Sequence, residues 1–218
     1  MRIRLLLLSF VVCVAGPAQA DVITGLFDTG LGAGAVDPNY VLLSAPAGVT
    51  TGPTILNSIP AAWFDPTSVA ANWIGVNDDD AFNFTPPNGN TDPAGLYVYR
   101  LTFSLAGLNP SSALITGRLA VDNSATIFLN GIDMGLISQD SGVLGGFSLA
   151  SGFVSGQNQL DFHVTNFPQE FGNPTGLIVS GLSGTADPTN PANVPEPTTI
   201  ALVAIGLAFC RRRRSTAS

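Results

Sequence analysis

The sequence contains no lysine, a single histidine (His163), and no cysteine between Ala20 and Asn193. Charged residues make up only 11% of the 218-residue chain, against roughly 25% in an average soluble domain. Each scarcity excludes some chemistry. The two cysteines, Cys13 and Cys210, sit near the two ends, so the body between them has no disulfide framework, thiolate metal site or cysteine nucleophile. One histidine cannot build a multi-histidine metal centre, and a Ser-His-Asp relay would have to use His163. Glu170 is the only glutamate of the body, and no motif singles out the carboxylate pair that glycoside hydrolysis needs. The reading is therefore a protein that is not an enzyme. An exported hydrolase is the remaining alternative and would require His163 or two Asp residues converging in a pocket.

Positive charge is scarce in the body and concentrated at the ends. Arg2 and Arg4 open the chain and Arg211, Arg212, Arg213 and Arg214 nearly close it. Between Asp21 and Asn193 only Arg100 and Arg118 stand against thirteen Asp and Glu170, a net charge of −12. So acidic a body does not bind nucleic acid or an anionic membrane face through counterion release. Apolar residues reach 45%, which excludes a disordered polyelectrolyte.

The two ends read as addresses. Arg2 and Arg4 precede an apolar run from Leu5 to Ala15, then Gly16-Pro17 and Ala18-Gln19-Ala20. A positive start, an apolar stretch and an A-x-A site make a signal peptide, residues 1–20, with cleavage after Ala20 and a mature chain starting at Asp21. At the other end Pro195-Glu196-Pro197 is followed by apolar residues 200–210 and the four arginines. A helix from Thr198 to Cys210 would be about 20 Å long, short for a hydrocarbon core of about 30 Å. The arginines would hold its end on the cytoplasmic side. A short transmembrane helix of this kind acts as a transient inner-membrane anchor. Residues 194–218 resemble the PEP-CTERM sorting signal of exported bacterial proteins. The resemblance implies processing by an exosortase near Pro195-Glu196-Pro197, a bacterium with an outer membrane, and placement at the cell surface or in an extracellular polysaccharide matrix.

Residues 21–186 read as one all-β domain, and residues 187–193 as a Pro-, Asn- and Thr-rich linker. No helical apolar period is present, and Gly, Pro, Asn and Ser punctuate the chain about every ten residues. The clearest strand is Leu96–Leu105, with Tyr97, Tyr99, Leu101, Phe103 and Leu105 on one face. Further strands are expected at 114–121, 126–129, 132–137, 146–149, 159–166 and 177–182, with earlier ones at 22–27, 40–43 and 72–76. Asn130-Gly131 reads as a hairpin turn, Ser155 to Asn158 as another turn, and Asp122-Asn123 as an Asx turn. Eight to ten strands suit a two-sheet antiparallel jelly-roll sandwich. The strings LYVYRLTFSL, ALITGRLAVDNSATIFLNG and GQNQLDFHVTN, in that order, resemble galactose-binding-domain-like jelly rolls. That resemblance implies calcium near one end of the sandwich and ligands at loop tips.

Three groups of residues carry candidate chemistry. Asp78, Asp79 and Asp80, with Asp92 beyond a Pro-rich loop, supply the hard oxygen ligands that Ca²⁺ takes; solvated turn residues are the alternative. Trp63, in Trp63-Phe64-Asp65-Pro66, is the candidate aromatic turn for a sugar, although packing as a core plug is the reading to be preferred. Arg118 and Arg100 either pair with Asp across strands or reach an acidic polysaccharide. The expected function is a non-catalytic surface or matrix protein associated with exopolysaccharide. A carbohydrate-binding module with a defined sugar site is the alternative.

Overall fold

The computed structural model describes residues 20–31, 36–50, 52–76, 92–138, 140–169 and 172–189. Residues 1–19 of the expected signal peptide, Asp78 to Asp80 and the whole sorting signal, including the expected membrane helix, lie outside these residues. Among the described residues no helix is long and apolar enough to cross a membrane.

Alternation of apolar and polar side chains builds two antiparallel sheets. The first, in the order β3 (Thr54–Ile55), β4 (Ile74–Gly75), β11 (Gly176–Ala186), β6 (Leu114–Asp122) and β9 (Gly145–Leu149), also pairs β1 (Asp21–Val22) with β11. The second runs β2 (Tyr40–Ser44), β5 (Gly95–Ser104), β10 (Gln157–Asn166), β7 (Ser124–Leu129) and β8 (Ile132–Ser138). From β4 to β7 the chain changes sheet at every step, and it does so again from β8 to β11. This is the two-sheet jelly-roll expected from the sequence. The strand Thr54–Ile55 was not expected, because two residues carry no readable period. The strand expected at 22–27 shrinks to Asp21–Val22, since only Thr24 beyond it makes a bridge, to Ser104.

The core lies between the sheets. Tyr97, Tyr99, Leu101, Phe103 and Leu105 all point into it and are at most 2% exposed. From β10 come Leu160, Phe162 and Val164, and from the opposite sheet Ile115, Leu119, Val121, Leu177 and Val179. Phe147 meets Phe162 edge-on across the two layers, at 6.3 Å and 74°. Burying each such ring is worth about 2–3 kcal/mol.

On the outer side of the second sheet His163 faces outward, as its alternation requires, and stacks on Phe128 at 4.0 Å. Burial holds its imidazole below the usual value. Beside it Arg100 forms a two-pronged ion pair with its cross-strand neighbour Asp161, at 2.6 and 2.7 Å. One of the two body arginines is thus committed to the fold, the cross-strand pairing the sequence allowed.

The carboxylates are mostly structural as well. Where the β11–β6 register slips between Ser180 and Ser183, Asp28 accepts the N–H groups of Gly181 and Leu182. Asp37, 3% exposed, accepts those of Gly30, Asn39 and Tyr40. Buried donors need partners, and short acidic side chains supply them here. Residues 187–189, read from sequence as the start of a linker, are held to the body. Thr189 donates to Gly107 O, and Asp187 both donates to Ser112 Oγ and accepts from Asn109.

Candidate functional site

Residues 56–73 form a layer over the outer face of the first sheet. Ala120 on β6 and Ile178 on β11 point away from the main core and receive Leu56, Trp63, Ala71 and Trp73, a second small core. The two indoles lie 4.3 Å apart at 36°. Both ring N–H groups are engaged: Trp63 Nε1 donates to Asp122 Oδ2 at 2.9 Å, and Trp73 Nε1 donates to the Phe64 carbonyl at 2.9 Å. Gly176 passes beneath them so closely that a Cβ there would lie 2.8 Å from the Trp63 ring.

This layer holds a cleft of about 350 Å³, within the usual range for small-ligand sites, with Trp63 and Trp73 in its wall. Asn57, Ser58, Asp65 and Asn72 add polar groups, of which Asn57, Asp65 and Asn72 are exposed. Asp65 caps the short 3₁₀ turn at Pro66–Ser68 by accepting the Thr67 N–H at 3.0 Å. That hydrogen bond holds its carboxyl below the ordinary value. Trp63 itself is 6% exposed. Of the two sequence readings of Trp63, the structure shows the packed core plug, bordering a cleft, because its ring finds Ala120 and Ile178 to cover. Asn57 and Asn72 were missed by the sequence reading; only the fold brings residues fifteen apart to one wall.

Arg118 is exposed on the outer face of β6, two residues from Ala120, and does not line the cleft. Asp92 is 1% exposed and its Oδ2 accepts the Thr175 N–H at 3.1 Å. Among the described residues no three His, Cys, Asp or Glu side chains gather as metal ligands. The Asp122-Asn123 pair is not the local Asx turn that was expected. Asp122 takes the Trp63 indole N–H, and Asn123 Oδ1 accepts from Phe167 N at 2.7 Å, because the chain crosses here from one sheet to the other.

Burial raises the Asp122 carboxyl above its ordinary value, and the indole hydrogen bond only partly opposes this. A raised folded-state value means that the ionised carboxylate costs stability at neutral pH. That cost disappears once pH falls below the unfolded value. Asp122→Asn keeps an oxygen for the indole N–H and is expected to raise Tm at pH 7. The gain shrinks as pH falls through the folded-state value and vanishes at about pH 3. Thermal melts at both pH values check this; a gain that persists in acid counts against desolvation as the cause.

The comparisons with known proteins bear on the end of the chain. A family model described as the PEP-CTERM protein-sorting motif matches residues 193–214. The chain thus carries a C-terminal sorting signal of exported proteins, and the resemblance read from Pro195-Glu196-Pro197 and the arginine run is correct. No curated protein matches the chain. Among solved structures, a protein of Bacteroides fragilis assigned as a beta-galactosidase aligns at 18% identity and a TM-score of 0.29, over 40% of this chain and 15% of that one. A beta-glucuronidase from glycoside hydrolase family 2 aligns at 15% and 0.38, over 76% and 18%. A GH31 alpha-xylosidase from Xanthomonas citri aligns at 8% and 0.21, over 48% and 12%. The chain spans less than one fifth of each of these proteins, and at these scores none of them bears on its fold or function.

Proposed function

We propose that the mature protein is a non-catalytic component of the extracellular polysaccharide layer, delivered by exosortase processing of its tail. The sorting motif at residues 193–214 is the observation that carries this reading. The cysteine-free body is large enough to be held by packing without disulfides. Replacing Pro195, Glu196 and Pro197 together by alanine is expected to leave the protein uncut in the inner-membrane fraction. The unaltered protein should instead fractionate with the extracellular polysaccharide, with its N-terminus at Asp21. Immunoblots of membrane and matrix fractions with mass spectrometry of both termini decide it. An unaltered protein with Met1 intact, or matrix delivery of the variant, would refute the proposal.

A bound cation is a second element of the reading, supported by an observation around Asp92. Asn166 and Asn173 are 1% and 2% exposed, and the Oδ1 atoms of both lack hydrogen-bond partners. Their amide nitrogens are committed to the Asp92 carbonyl, at 3.3 and 3.0 Å. Buried oxygens without partners are rare, and carboxylate plus amide oxygens are the donor set Ca²⁺ takes. Millimolar calcium is expected to raise Tm, and Asn173→Ala to abolish the shift. Equal melting curves with calcium and with chelator mean that water satisfies these oxygens.

A further inference from the structure

We infer that a second cleft, at the end of the sandwich where β6 and β7 meet, binds a primary ammonium group on a short apolar stem, with Asp122 as its counter-ion. The cleft holds about 330 Å³ and is walled by Val121, Asp122, Asn123, Ser141 and Phe167. Three hydrogen bonds tie its walls in place. Val121 N donates to the Asp140 carbonyl at 3.1 Å, Phe64 N to the Ser141 carbonyl at 2.7 Å, and Phe167 N to Asn123 Oδ1 at 2.7 Å. A wall fixed in advance loses little entropy when a ligand enters. Phe167 is 47% exposed, so its ring is open to one. The cleft is also remote from the chain ends. Asp122 pairs with Gly176 at one end of β11, and Asp21 pairs with Ala186 at the other, about 30 Å away at the usual rise per residue.

The charge of Asp122 has no counterpart in the described fold. Arg100 is taken by Asp161, and Arg118 stands four residues back along β6, about 13 Å away. The fold does not need the charge either, since the Trp63 indole asks only for an acceptor, which an amide oxygen supplies. Burial raises the carboxyl above its ordinary value, a cost that a cation on the cleft side offsets. Oδ2 is occupied by the indole N–H, which leaves Oδ1 without a hydrogen-bond partner among the described residues. One open oxygen suits a compact ammonium, whereas a guanidinium is best matched by both. With the Ser141 hydroxyl it still falls far short of the about six to eight oxygens that Ca²⁺ takes. The Phe167 ring adds an aromatic neighbour for the cation. The chain has no lysine, so a second copy cannot supply such a side chain, and the ammonium belongs to another molecule.

The full-length protein, labelled with ¹⁵N and held in mild detergent with about 0.15 M NaCl to screen diffuse attraction, is titrated with four probes. Pentylamine represents a free amine and Nα-acetyl-lysine methylamide a lysine side chain; 1-pentanol and pentylguanidine are the controls. Trp63 and Trp73 are the only tryptophans, so the spectrum has two indole N–H signals, and Asp122→Asn identifies that of Trp63. A saturable shift of this signal is expected with an amine, because its N–H donates to the carboxylate that pairs with the ligand. Saturation by pentylamine alone supports the site with a free amine as its ligand, and saturation by the lysine derivative supports it with a partner's side chain. Asp122→Asn, which keeps the indole acceptor, should weaken binding at least about tenfold, the loss of one charge-assisted hydrogen bond. Phe167→Ala should weaken it about threefold. Asp133→Asn makes the same charge change at an exposed position of β8 and should leave the affinity unchanged. Equal losses in the two Asp variants would reduce the effect to attraction by an acidic body and overturn the site. Unchanged affinity in Phe167→Ala would move the ligand out of this cleft. Equal binding of 1-pentanol would overturn the counter-ion, and tighter binding of pentylguanidine the ammonium class. No saturable shift with either amine would overturn the proposal as a whole.

Discussion

Asn158→Ala is expected to destabilise the fold by about 3 kcal/mol, a large share of the 5–15 kcal/mol typical of a whole domain. Asn158 is fully buried at the head of β10. Its Oδ1 accepts from Asn130 Nδ2 at 2.8 Å and from Val154 N at 2.9 Å, and its Nδ2 donates to the Val154 and Gly156 carbonyls at 2.8 and 2.9 Å. Asn130 extends the network, donating to Gly152 O and accepting from Gln159 N. Alanine removes all four bonds at once. Each net bond is worth about 1 kcal/mol, and a buried group left unpaired costs more; partial rehydration of the Gly152–Gly156 loop offsets some of that. Urea unfolding of the variant measures it. Asn130→Ala and the double variant complete a cycle whose coupling should be well above 0.5 kcal/mol, as for any two residues sharing one network. A loss below about 1 kcal/mol for Asn158→Ala would mean that the loop holds its shape without this side chain.

The second large effect is expected at Gly176. A methyl group there would meet Trp63 carbons at 2.8 and 2.9 Å and a Trp73 carbon at 3.1 Å. Neither indole is free to move aside, because each is fixed by its ring N–H, to Asp122 and to Phe64. Overpacking of this kind costs about 1–3 kcal/mol, and the upper half of that range is expected for Gly176→Ala. The same change should alter tryptophan emission in the folded protein, since both reporters border the new methyl. Denaturant unfolding followed by fluorescence gives both quantities in one titration. An unchanged spectrum with unchanged stability would show that the rings slide over the sheet.

The two effects mark where sequence reading stops. Asn130-Gly131 was legible as a tight turn, and the structure gives Asn130 and Gly131 the positive φ, 52° and 79°, that such a turn needs. Ser155 to Asn158 was equally legible as a turn. That the two turns lock into each other is a contact between residues twenty-eight apart, and no local pattern encodes it. The same holds for the candidate cleft. Trp63 stood out by residue type, but Asn57 and Asn72 are ordinary loop residues until the 56–73 layer folds over Ala120 and Ile178. Sequence reading assigned Asp28, Asp37, Asp65, Asp133 and Asp140 no role, whereas each accepts backbone N–H groups.

By itself the sequence determined the C-terminal sorting signal, because it is read by machinery that meets the chain as a linear segment. It also determined the all-β class and the inward face of β5, since a period of two is a local property of an extended backbone. The tertiary structure alone decided which strands share a sheet, which turns interlock, and which side chains wall the cleft. Those outcomes depend on pairing between distant segments, where hydrophobic burial and hydrogen-bond satisfaction are settled for the whole sandwich at once.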